Sequence, residues 1–400
     1  MSQFAMKRAT VTASRFGFRC LRCGTVYQNI GAQLCTNCRG AVDVFYNLNN
    51  VVIRSSANPL HKYFQLLPIQ SEEHLLWLGE GNTPCFRAED LGASLGLDRL
   101  FLKNETANPT CTTKDRIASV GLSCLRELGV ADFVVSSTGN SSTSYARGVQ
   151  LLEGFHVHIF VGEEFLGRLG YADHPNIQTH VVSGAFDAAG RAAKEFAAKE
   201  RLWFEGGFFN IARREGLKLA YLEAYDEMAS AGTFPHFVFQ AISSGMGLFG
   251  AYNGARDYLI LGRIPYLPRF IGVQQDSCAP MAHAYRDGSA EIEQRHIVQE
   301  PKGLASAILR GDPSQMYSYI RDVVQASHGC LLEVKESEIV EAQRRVFEYE
   351  GLSICAASAT AVAGMIRMVS AKAITSSDTV LVNITGADRP KRPFPKVLHP

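Results

Sequence analysis

The chain has 400 residues, with 40 Lys plus Arg against 39 Asp plus Glu, and carries a formal net charge of +1. This length supports a large core and two or three domains, and a balanced charge without a basic run argues against a nucleic-acid partner. The longest apolar segment, Ile354–Ile366, is alanine-rich and stops at Arg367, so it predicts a buried helix and no membrane span.

The clustered cysteines of the chain lie within its first 48 residues. Cys20 and Cys23 form one C-x-x-C knuckle, and Cys35 and Cys38 form a second. Two such knuckles with a short spacer can present four thiolates to one tetrahedral zinc ion, and an all-sulfur set favours a structural site over a catalytic one. We therefore predict a zinc ribbon over residues 1–48.

The other six cysteines are scattered singly, which indicates a reducing compartment and free thiols rather than a disulfide framework. Residues Met1 to Ser14 carry scattered basic side chains but lack the apolar stretch of a secretory signal. Together these features predict a cytoplasmic protein.

Short apolar strands alternate with helices over most of the remaining chain. Residues 49–78 carry few helical signals and are interpreted as a connector, and residues 79–400 as a catalytic region. The predicted strands are Phe133–Ser136, His156–Val161, His180–Val182, Phe237–Phe239, Phe270–Val273 and Thr379–Asn383. The predicted helices between them are Ser141–Leu152, Ala185–Glu200, Gly216–Ala231 and Leu248–Leu261. Such alternation predicts an α/β fold with parallel sheets covered on both faces by helices.

The segment Asn108–Arg116 carries the first candidate for chemistry. It follows a predicted strand, Leu100–Asn104, and opens a helix at Lys114 after two threonines suited to capping. A lysine at the positive end of a helix dipole bears a disfavoured charge, and a lowered pKa makes its amine a better nucleophile. Lys114 could then form a Schiff base with pyridoxal phosphate (PLP). The alternative is a surface lysine in a turn.

A second turn, Ser136–Ser142, lies between a predicted strand and a predicted helix. Small polar residues at a helix N-terminus are an anion-binding arrangement, which could hold a substrate carboxylate. The side-chain amide of Asn140 could face a cofactor oxygen. An ordinary capping turn is the alternative.

The third turn, Ser243–Gly250, also leads from a predicted strand into a helix. Its glycines would let backbone amides close on a phosphate at the helix N-terminus. Gly245, Gly247 and Gly250 also match the G-x-G-x-x-G pattern of dinucleotide-binding proteins, and Asp276 follows the next strand. A dinucleotide-dependent oxidoreductase is thus an alternative, although it would leave the Lys114 and Asn140 turns unexplained.

Thr385 ends the closing strand within Asn383-Ile-Thr-Gly386. Its hydroxyl could reach a pyridine nitrogen. A neutral partner there does not hold the nitrogen protonated as a carboxylate would, so the ring becomes a weaker electron sink, suited to elimination and replacement rather than transamination. A strand-ending turn is the alternative.

Taken together, these motifs resemble the threonine synthase family of PLP-dependent enzymes, which belongs to fold type II, the tryptophan synthase β-like group. The segments that carry the resemblance are Gly79-Glu-Gly-Asn-Thr-Pro84, Lys103-Asn-Glu105, Asn108-Pro-Thr110, Lys114-Asp-Arg116, Ser137-Thr-Gly-Asn140, Gly272-Val-Gln274 and Thr385-Gly386. Many members of that family also carry an N-terminal zinc ribbon. The resemblance implies two parallel-sheet domains with PLP in the cleft between them, the smaller one here spanning about 108–205 and the larger one formed by the flanking segments.

The resemblance also implies roles for individual residues. Lys114 would be the catalytic lysine that carries PLP, with Asn140 at its phenolic oxygen and Thr385 at its pyridine nitrogen. The cradle for the PLP phosphate would be Ser243, Ser244, Gly245, Met246, Gly247 and Leu248. The substrate would be bound by Thr113, Ser137, Thr138, Gly139 and Ser141.

Several stretches depart from the threonine synthase pattern. Cys111-Thr-Thr113 stands where family members have Gly-Ser-Phe, and Ser243-Ser-Gly-Met-Gly247 stands in place of Gly-Asn-Gly-Gly. Phe209–Arg214 and Phe239–Gly245 are more similar to cysteate synthase, which replaces the phosphate of phosphoserine with sulfite. We therefore predict a PLP-dependent lyase or synthase that performs elimination or replacement on an activated, O-phospho amino acid, with cysteate synthase-like β-replacement of phosphoserine as an alternative.

The expected partners are a small amino-acid substrate and a second copy of the chain in a homodimer. The anionic leaving group needs donors, for which the candidates are Thr112, Thr113, Arg116, Ser141, Ser142 and Arg147. For Arg116 an ion pair with a carboxylate elsewhere in the fold is the favoured interpretation. A zinc-ribbon interaction protein on an inactive PLP fold is the non-enzyme alternative, against which the presence of Lys114 argues.

Overall fold

The computed structural model describes residues 14–184, 186–390 and 395–398, so that the first 13 residues of the predicted ribbon and the predicted helix start at Ala185 lie outside it. The strands in chain order are β1 (Phe16–Cys20), β2 (Val26–Tyr27), β3 (Val42–Tyr46), β4 (Cys85–Arg87), β5 (Arg99–Asn104), β6 (Asp132–Ser136), β7 (His156–Gly162), β8 (Ile177–Val182), β9 (Trp203–Phe204), β10 (Phe237–Ala241), β11 (Arg269–Gln275), β12 (Cys330–Val334), β13 (Thr379–Ile384) and β14 (Val397–Leu398). The helices are α1 (Pro59–Lys62), α2 (Glu89–Leu95), α3 (Lys114–Glu127), α4 (Asn140–Leu151), α5 (Phe186–Glu200), α6 (Ile211–Ser230), α7 (Met246–Ile260), α8 (Pro280–Arg286), α9 (Ser314–Ala326), α10 (Glu336–Glu350) and α11 (Ala356–Ser370).

Two parallel sheets form the main body of the fold. The larger has the order β12-β11-β10-β13-β5-β4, in which only the β4–β5 pair is antiparallel, and the smaller has the order β14-β8-β7-β6-β9. Every residue of β10 and β13 is buried, as expected for parallel strands covered on both faces. The predicted α/β fold with two parallel sheets is confirmed.

The larger sheet is covered by helices on both faces. On one face, the alanine-rich α11 lies so close that a Cβ on Gly364 would come within 2.5 Å of Val273. This helix is the predicted buried segment, and its small side chains permit the close approach. In the described parts of the chain, no helix has both the length and the apolar character that crossing a membrane requires.

The N-terminal residues form a small antiparallel sheet of order β2-β1-β3. Phe16, Phe18 and Val44 from this sheet belong to the same buried cluster as Tyr221 of α6. The segment predicted as a connector contributes Leu60 to that cluster, since it folds into α1 and short 3₁₀ turns. The ribbon and the connector therefore share one core with the helices of the larger sheet.

Some element bounds differ from the sequence-based prediction. Helix α6 begins five residues earlier than predicted, at Ile211, because the side chain of Asn210 caps it by accepting from the Arg213 amide. Helix α7 begins at Met246, directly after Gly245. The short strand β14 near the end of the chain pairs with β8, so the smaller sheet also receives a C-terminal strand.

Candidate active site

A cavity of about 460 Å³ lies where segments from the two parallel sheets meet. It is lined by the turns that follow β6 and β10, by the end of β13, and by Lys114 at the start of α3. Ligands of open α/β sheets bind outside the carboxyl ends of the strands, and this cavity has that position. Four of the motifs that the sequence singles out are thereby brought to one place.

Lys114 is the first residue of α3, and its backbone amide donates to Thr112 Oγ1 at 3.3 Å. Thr113 occupies the cap position but its side chain makes no capping bond, which corrects the simple N-cap interpretation for that residue. Burial, together with the charge of Arg213, lowers the pKa of Lys114 to about 8. The amine is therefore neutral in a useful fraction of molecules near neutral pH, as a nucleophile requires.

The turn before α4 is organised by Ser137, whose Oγ accepts from the amides of Gly139 (2.9 Å) and Ser142 (3.2 Å). Gly139 itself does not line the cavity: its φ is +116° and a Cβ there would meet Arg168 Cβ at 2.7 Å. It therefore shapes the turn rather than facing a substrate. The predicted residues of this turn that do line the cavity are Ser137, Thr138, Asn140 and Ser141.

The turn before α7 presents Ser243 to Gly247 to the cavity. Gly245 has a φ of +83°, and a Cβ there would meet the Ile320 side chain at 2.3 Å, so only glycine fits. The predicted cradle residue Leu248 is fully buried and lies off the cavity wall. The free amides at the start of a helix of 15 residues make this turn suited to a phosphate.

Thr385 and Asn383 close the cavity at the end of β13. Thr385 Oγ1 lies 3.2 Å from Ser358 Oγ, and the backbone carbonyl of Thr385 accepts from the Thr113 amide at 2.9 Å. Asn383 Nδ2 donates to the Tyr221 hydroxyl at 3.0 Å and also to Gln240 Oε1. These bonds fix both polar side chains where they meet the cavity.

Several buried polar atoms around the cavity have no hydrogen-bond partner among the described residues. They include Thr113 Oγ1, Ser136 Oγ and Asn383 Oδ1, all on residues that line it. Unpaired buried polar atoms are rare in folded proteins, and these three lie on residues of the cavity wall. The residues of the cavity fit PLP. Lys114, with its lowered pKa, matches the aldehyde of this cofactor. The glycine-containing turn before α7 matches its phosphate, and the Thr385 hydroxyl matches its pyridine nitrogen.

Cationic side chains that the sequence-based prediction missed also line the cavity, namely Arg191, Lys194, Arg213 and Arg310. Arg191 and Lys194 lie on α5 and Arg213 on α6. Arg213 donates from Nη2 to the Glu205 carbonyl at 2.9 Å, and its guanidinium lies 5.3 Å from the centre of the Tyr145 ring. The i, i+3 spacing on α5 predicts a shared helix face, but nothing in the sequence tells which way that face points.

Arg116 and Arg147, which were candidates for binding the leaving group, do not line the cavity. Arg116 is fully buried and forms ion pairs with Glu105 (2.7 Å) and Glu223 (2.7 Å), in line with the favoured interpretation. Burial by itself raises the pKa of Glu223, but Arg116 and Lys103 lower it to about 2. Of the other candidates, Thr112, Thr113 and Ser141 line the cavity and Ser142 does not.

The four clustered cysteines lie together in the N-terminal sheet, with all Sγ atoms within 4.8 Å of one another. The Sγ atoms of Cys20 and Cys38 lie 3.5 Å apart, as do those of Cys23 and Cys35. Zinc–sulfur bonds of about 2.3 Å put tetrahedral ligands about 3.8 Å apart, so the set fits zinc. A Cβ on Gly40 would lie 3.1 Å from Cys20 Sγ, which shows how closely the backbone wraps the sulfurs.

The chain belongs to the family of pyridoxal-phosphate-dependent enzymes. The family model described as "Pyridoxal-phosphate dependent enzyme" matches residues 76–386, which include every residue that lines the cavity. This membership confirms the predicted cofactor and the prediction of an enzyme. It decides against the dinucleotide-dependent oxidoreductase.

Two kinds of synthase are among the relatives of the chain. The threonine synthase of Methanocaldococcus jannaschii is 30% identical over 92% of this chain and 91% of its own. The cysteate synthase of Methanosarcina acetivorans is 27% identical over 93% of this chain and 92% of its own. The similarity to both confirms the predicted resemblance.

Among solved structures, maize serine racemase matches with a TM-score of 0.64 at 16% identity, covering 78% of this chain and 89% of that one. The processed form of threonine deaminase isoform 2 from Solanum lycopersicum matches with a TM-score of 0.61 at 16% identity, covering 85% of this chain and 92% of that one. These likenesses concern the fold alone and confirm the predicted fold type II.

Proposed function

We propose that the chain catalyses PLP-dependent elimination or replacement on an amino acid activated by an O-phospho group, as threonine synthases do. One observation carries the proposal: a single cavity combines a lysine of lowered pKa, two helix N-termini and four cationic side chains. Two anion sites suit the cofactor phosphate and the substrate carboxylate. The cationic side chains on the cavity wall suit a third anionic group, the leaving phosphate.

When bound, PLP would supply an electron sink that makes the Cα proton of an amino acid covalently attached to it acidic. In the proposed reaction, the amine of Lys114 takes that proton onto Nζ as a general base. In phosphoserine the Cβ–O bond then breaks, its electron pair leaves with the phosphate, and a Cα–Cβ double bond forms; sulfite adds at Cβ and Lys114 returns the proton to Cα. In phosphohomoserine the leaving group is on Cγ, so a second proton must leave Cβ before the Cγ–O bond breaks and its electron pair leaves with the phosphate. Cγ then takes up a proton, water adds its hydroxyl group to Cβ and loses its remaining proton to solvent, and Lys114 returns the proton to Cα.

The site residues that we propose follow from their places on the cavity wall. Lys114 carries the cofactor, Asn140 donates to its ring oxygen, and Thr385 meets its ring nitrogen. Ser243 to Gly247 hold its phosphate through backbone amides. The substrate carboxylate is held by Ser137, Thr138 and Ser141, and the side-chain wall includes Thr113.

Arg213 is the cation that we propose to bind the leaving phosphate. It is buried and lines the same cavity as Lys114, whose pKa is lowered by burial and by the charge of Arg213. Its Nε lies 3.6 Å from Glu205 Oε1 and its Nη2 donates to the Glu205 carbonyl, so the guanidinium is held at the cavity wall. A guanidinium matches a phosphate group in charge and geometry better than an ammonium does.

The test is a steady-state assay of inorganic phosphate release from phosphohomoserine in water and from phosphoserine with sulfite. We expect Arg213→Gln to lower kcat/KM by about tenfold to a hundredfold, since a charge-assisted hydrogen bond contributes about 1.5–3 kcal/mol. Arg147→Gln is the matched control, because Arg147 bonds to the Leu78 carbonyl away from the cavity. Release of no phosphate from either ester, with turnover of an unactivated amino acid, would refute the proposal.

A second candidate is cysteate synthase-like replacement at Cβ of phosphoserine. It is favoured by the 27% identity to the Methanosarcina acetivorans enzyme and by cations on the rim of the cavity that could attract sulfite. Sulfite-dependent product from phosphoserine, with phosphohomoserine left intact, would select this candidate over the first.

We also propose that Cys20, Cys23, Cys35 and Cys38 bind one structural zinc ion and that the chain forms a homodimer in the cytoplasm. The zinc proposal rests on the mutual distances of the four sulfurs. Sedimentation equilibrium of the purified chain tests the dimer: a single species of monomer mass would contradict it.

A further inference from the structure

The N-terminal sheet contacts a segment that also forms part of the cavity wall. We call residues 203–215 the crossover segment, because they run from β9 of the smaller sheet into α6, which packs on the larger one. Its inner side contributes Phe204, Gly207, Phe208, Phe209 and Arg213 to the cavity. The orientation of this segment therefore sets the position of Arg213.

Polar contacts join the N-terminal ribbon to the outer side of the crossover segment through the side chains of Gln33, Asp43 and Tyr46. Gln33 Nε2 donates to the Phe204 carbonyl at 3.1 Å, near its start. The Tyr46 hydroxyl donates to Glu215 Oε2 at 2.5 Å, at its end. The third contact, the ion pair between Asp43 and Arg214, joins at 3.0 Å two side chains that are almost completely buried.

Arg214 links the N-terminal sheet directly to the cavity wall. Its Nη2 donates to Asp43 Oδ1 and to the Val42 carbonyl, while its Nη1 donates to the carbonyl of Phe208. Phe208 is one of the residues that line the cavity. One buried guanidinium thus holds the ribbon on one side and the cavity wall on the other.

The second oxygen of Asp43 extends this connection to α7. Asp43 Oδ2 accepts from Asn253 Nδ2 at 3.0 Å, and Asn253 lies on the helix that begins at the proposed phosphate turn. Removing a partner from a buried ion pair leaves an uncompensated charge, so the remaining groups must move. Loss of the Asp43 carboxylate would therefore displace both Arg214 and its neighbour Arg213.

We propose that Asp43 is a positioning residue for the active site: through Arg214 it holds the crossover segment so that Arg213 faces the anionic group of the substrate. The N-terminal sheet is on this view part of the substrate-binding machinery, although none of its residues lines the cavity. The proposal rests on the proposed function for the nature of the ligand, and on the contacts of Asp43 for the positioning.

The experiment compares full-length, PLP-loaded enzyme with the Asp43→Asn variant. We expect KM for the phospho ester to rise by about tenfold to a hundredfold, since displacement of a positioning group by about 1 Å can have an effect of that size. The change in kcat should stay below about threefold, because Lys114 and the PLP phosphate turn keep their own contacts. Faster hydrogen exchange of the amides of residues 205–215 should accompany the rise in KM.

Asp226→Asn is the matched control for a purely structural effect. Asp226 lies near the other end of α6, where it accepts from the Tyr63 hydroxyl and pairs with Lys62 and Arg263. We expect this variant to lose stability without a change in KM. A comparable rise in KM in both variants, or none with Asp43→Asn, would overturn the proposal.

Gln33→Ala provides the second variant if Asp43→Asn does not fold. It removes one half-buried contact with the Phe204 carbonyl, so we expect a smaller rise in KM and faster exchange at the start of the crossover segment. The exchange measurement uses no substrate, and therefore separates the two proposals. Absence of turnover with faster exchange would refute the proposed function alone, whereas unchanged exchange in both variants would refute the positioning role.

Discussion

The lowered pKa of Lys114 makes a quantitative prediction for the binding of PLP to the apoprotein. Only the neutral amine can attack the cofactor aldehyde, so the rate of loading should follow the neutral fraction of Lys114. Burial and the charge of Arg213 lower its pKa from 10.5 to about 8. The loading rate should therefore rise from pH 6.5, reach half its maximum near pH 8 and level off above about pH 9.

The size of the effect at neutral pH follows from the two pKa values. At pH 7 a lysine with a pKa of 8 is neutral in about one molecule in ten, whereas an ordinary lysine is neutral in about three in ten thousand. We therefore expect loading at pH 7 to be about 300-fold faster than for an unperturbed lysine of equal access.

The assay follows the absorbance of PLP after rapid mixing with apoprotein between pH 6.5 and 10. Nα-acetyl-lysine serves as the reference reaction, because it corrects for the titration of PLP itself. In Arg213→Gln the midpoint of the pH dependence of the loading rate should move to higher pH while remaining below 10.5. The positive charge of Arg213 is lost in this variant, whereas Lys114 stays buried. A midpoint near 10.5 in the unaltered chain, or a downward shift in Arg213→Gln, would refute the reasoning.

Three further predictions concern the cofactor, the metal and the fold. Borohydride should fix PLP to Lys114 and leave Lys103 unlabelled, and a peptide map that locates the label on Lys103 would contradict the site. Cys23→Ser should lower zinc content from one ion per chain to near zero by metal analysis, since a four-thiolate site loses a ligand; unchanged zinc would show a wrong ligand set. Glu223→Gln should lower the free energy of unfolding in urea by about 3–5 kcal/mol at neutral pH, because Arg116 and Lys103 lose a buried partner. The difference should shrink as pH falls from about 4.5 to about 2, where Glu223 becomes protonated in the unaltered chain.

The parts of the site that the sequence predicted are those encoded by local turns. Lys114, the Ser137 turn and the Ser243 turn each combine a strand end, small polar or glycine residues and a helix start within a few positions. Such patterns predict an anion-binding helix N-terminus without any knowledge of the tertiary contacts. Parallel strands then bring their carboxyl ends to one edge, which explains why the turns meet.

The cationic wall and the docking of the ribbon depend on contacts between distant parts of the chain. Arg213 and Arg214 are adjacent, yet one faces the cavity and the other pairs with Asp43, 171 positions away. Arg116 lies on the same helix turn as Lys114 but pairs with Glu223, 107 positions away. Side-chain direction in these pairs follows from helix packing, which the order of the residues alone does not reveal.

The order of strands in the larger sheet constrains how the chain can fold during synthesis. The antiparallel pair β4–β5 is made early, but the parallel neighbour of β5, β13, begins at Thr379, about 275 residues after β5 ends. Until that strand emerges from the ribosome, the buried residues Leu100 and Leu102 have no strand on one side. The strands β6 to β9 of the smaller sheet span residues 132–204 and can pair well before then. A nascent chain would thus carry an unpaired apolar edge for most of its translation, a natural binding site for chaperones.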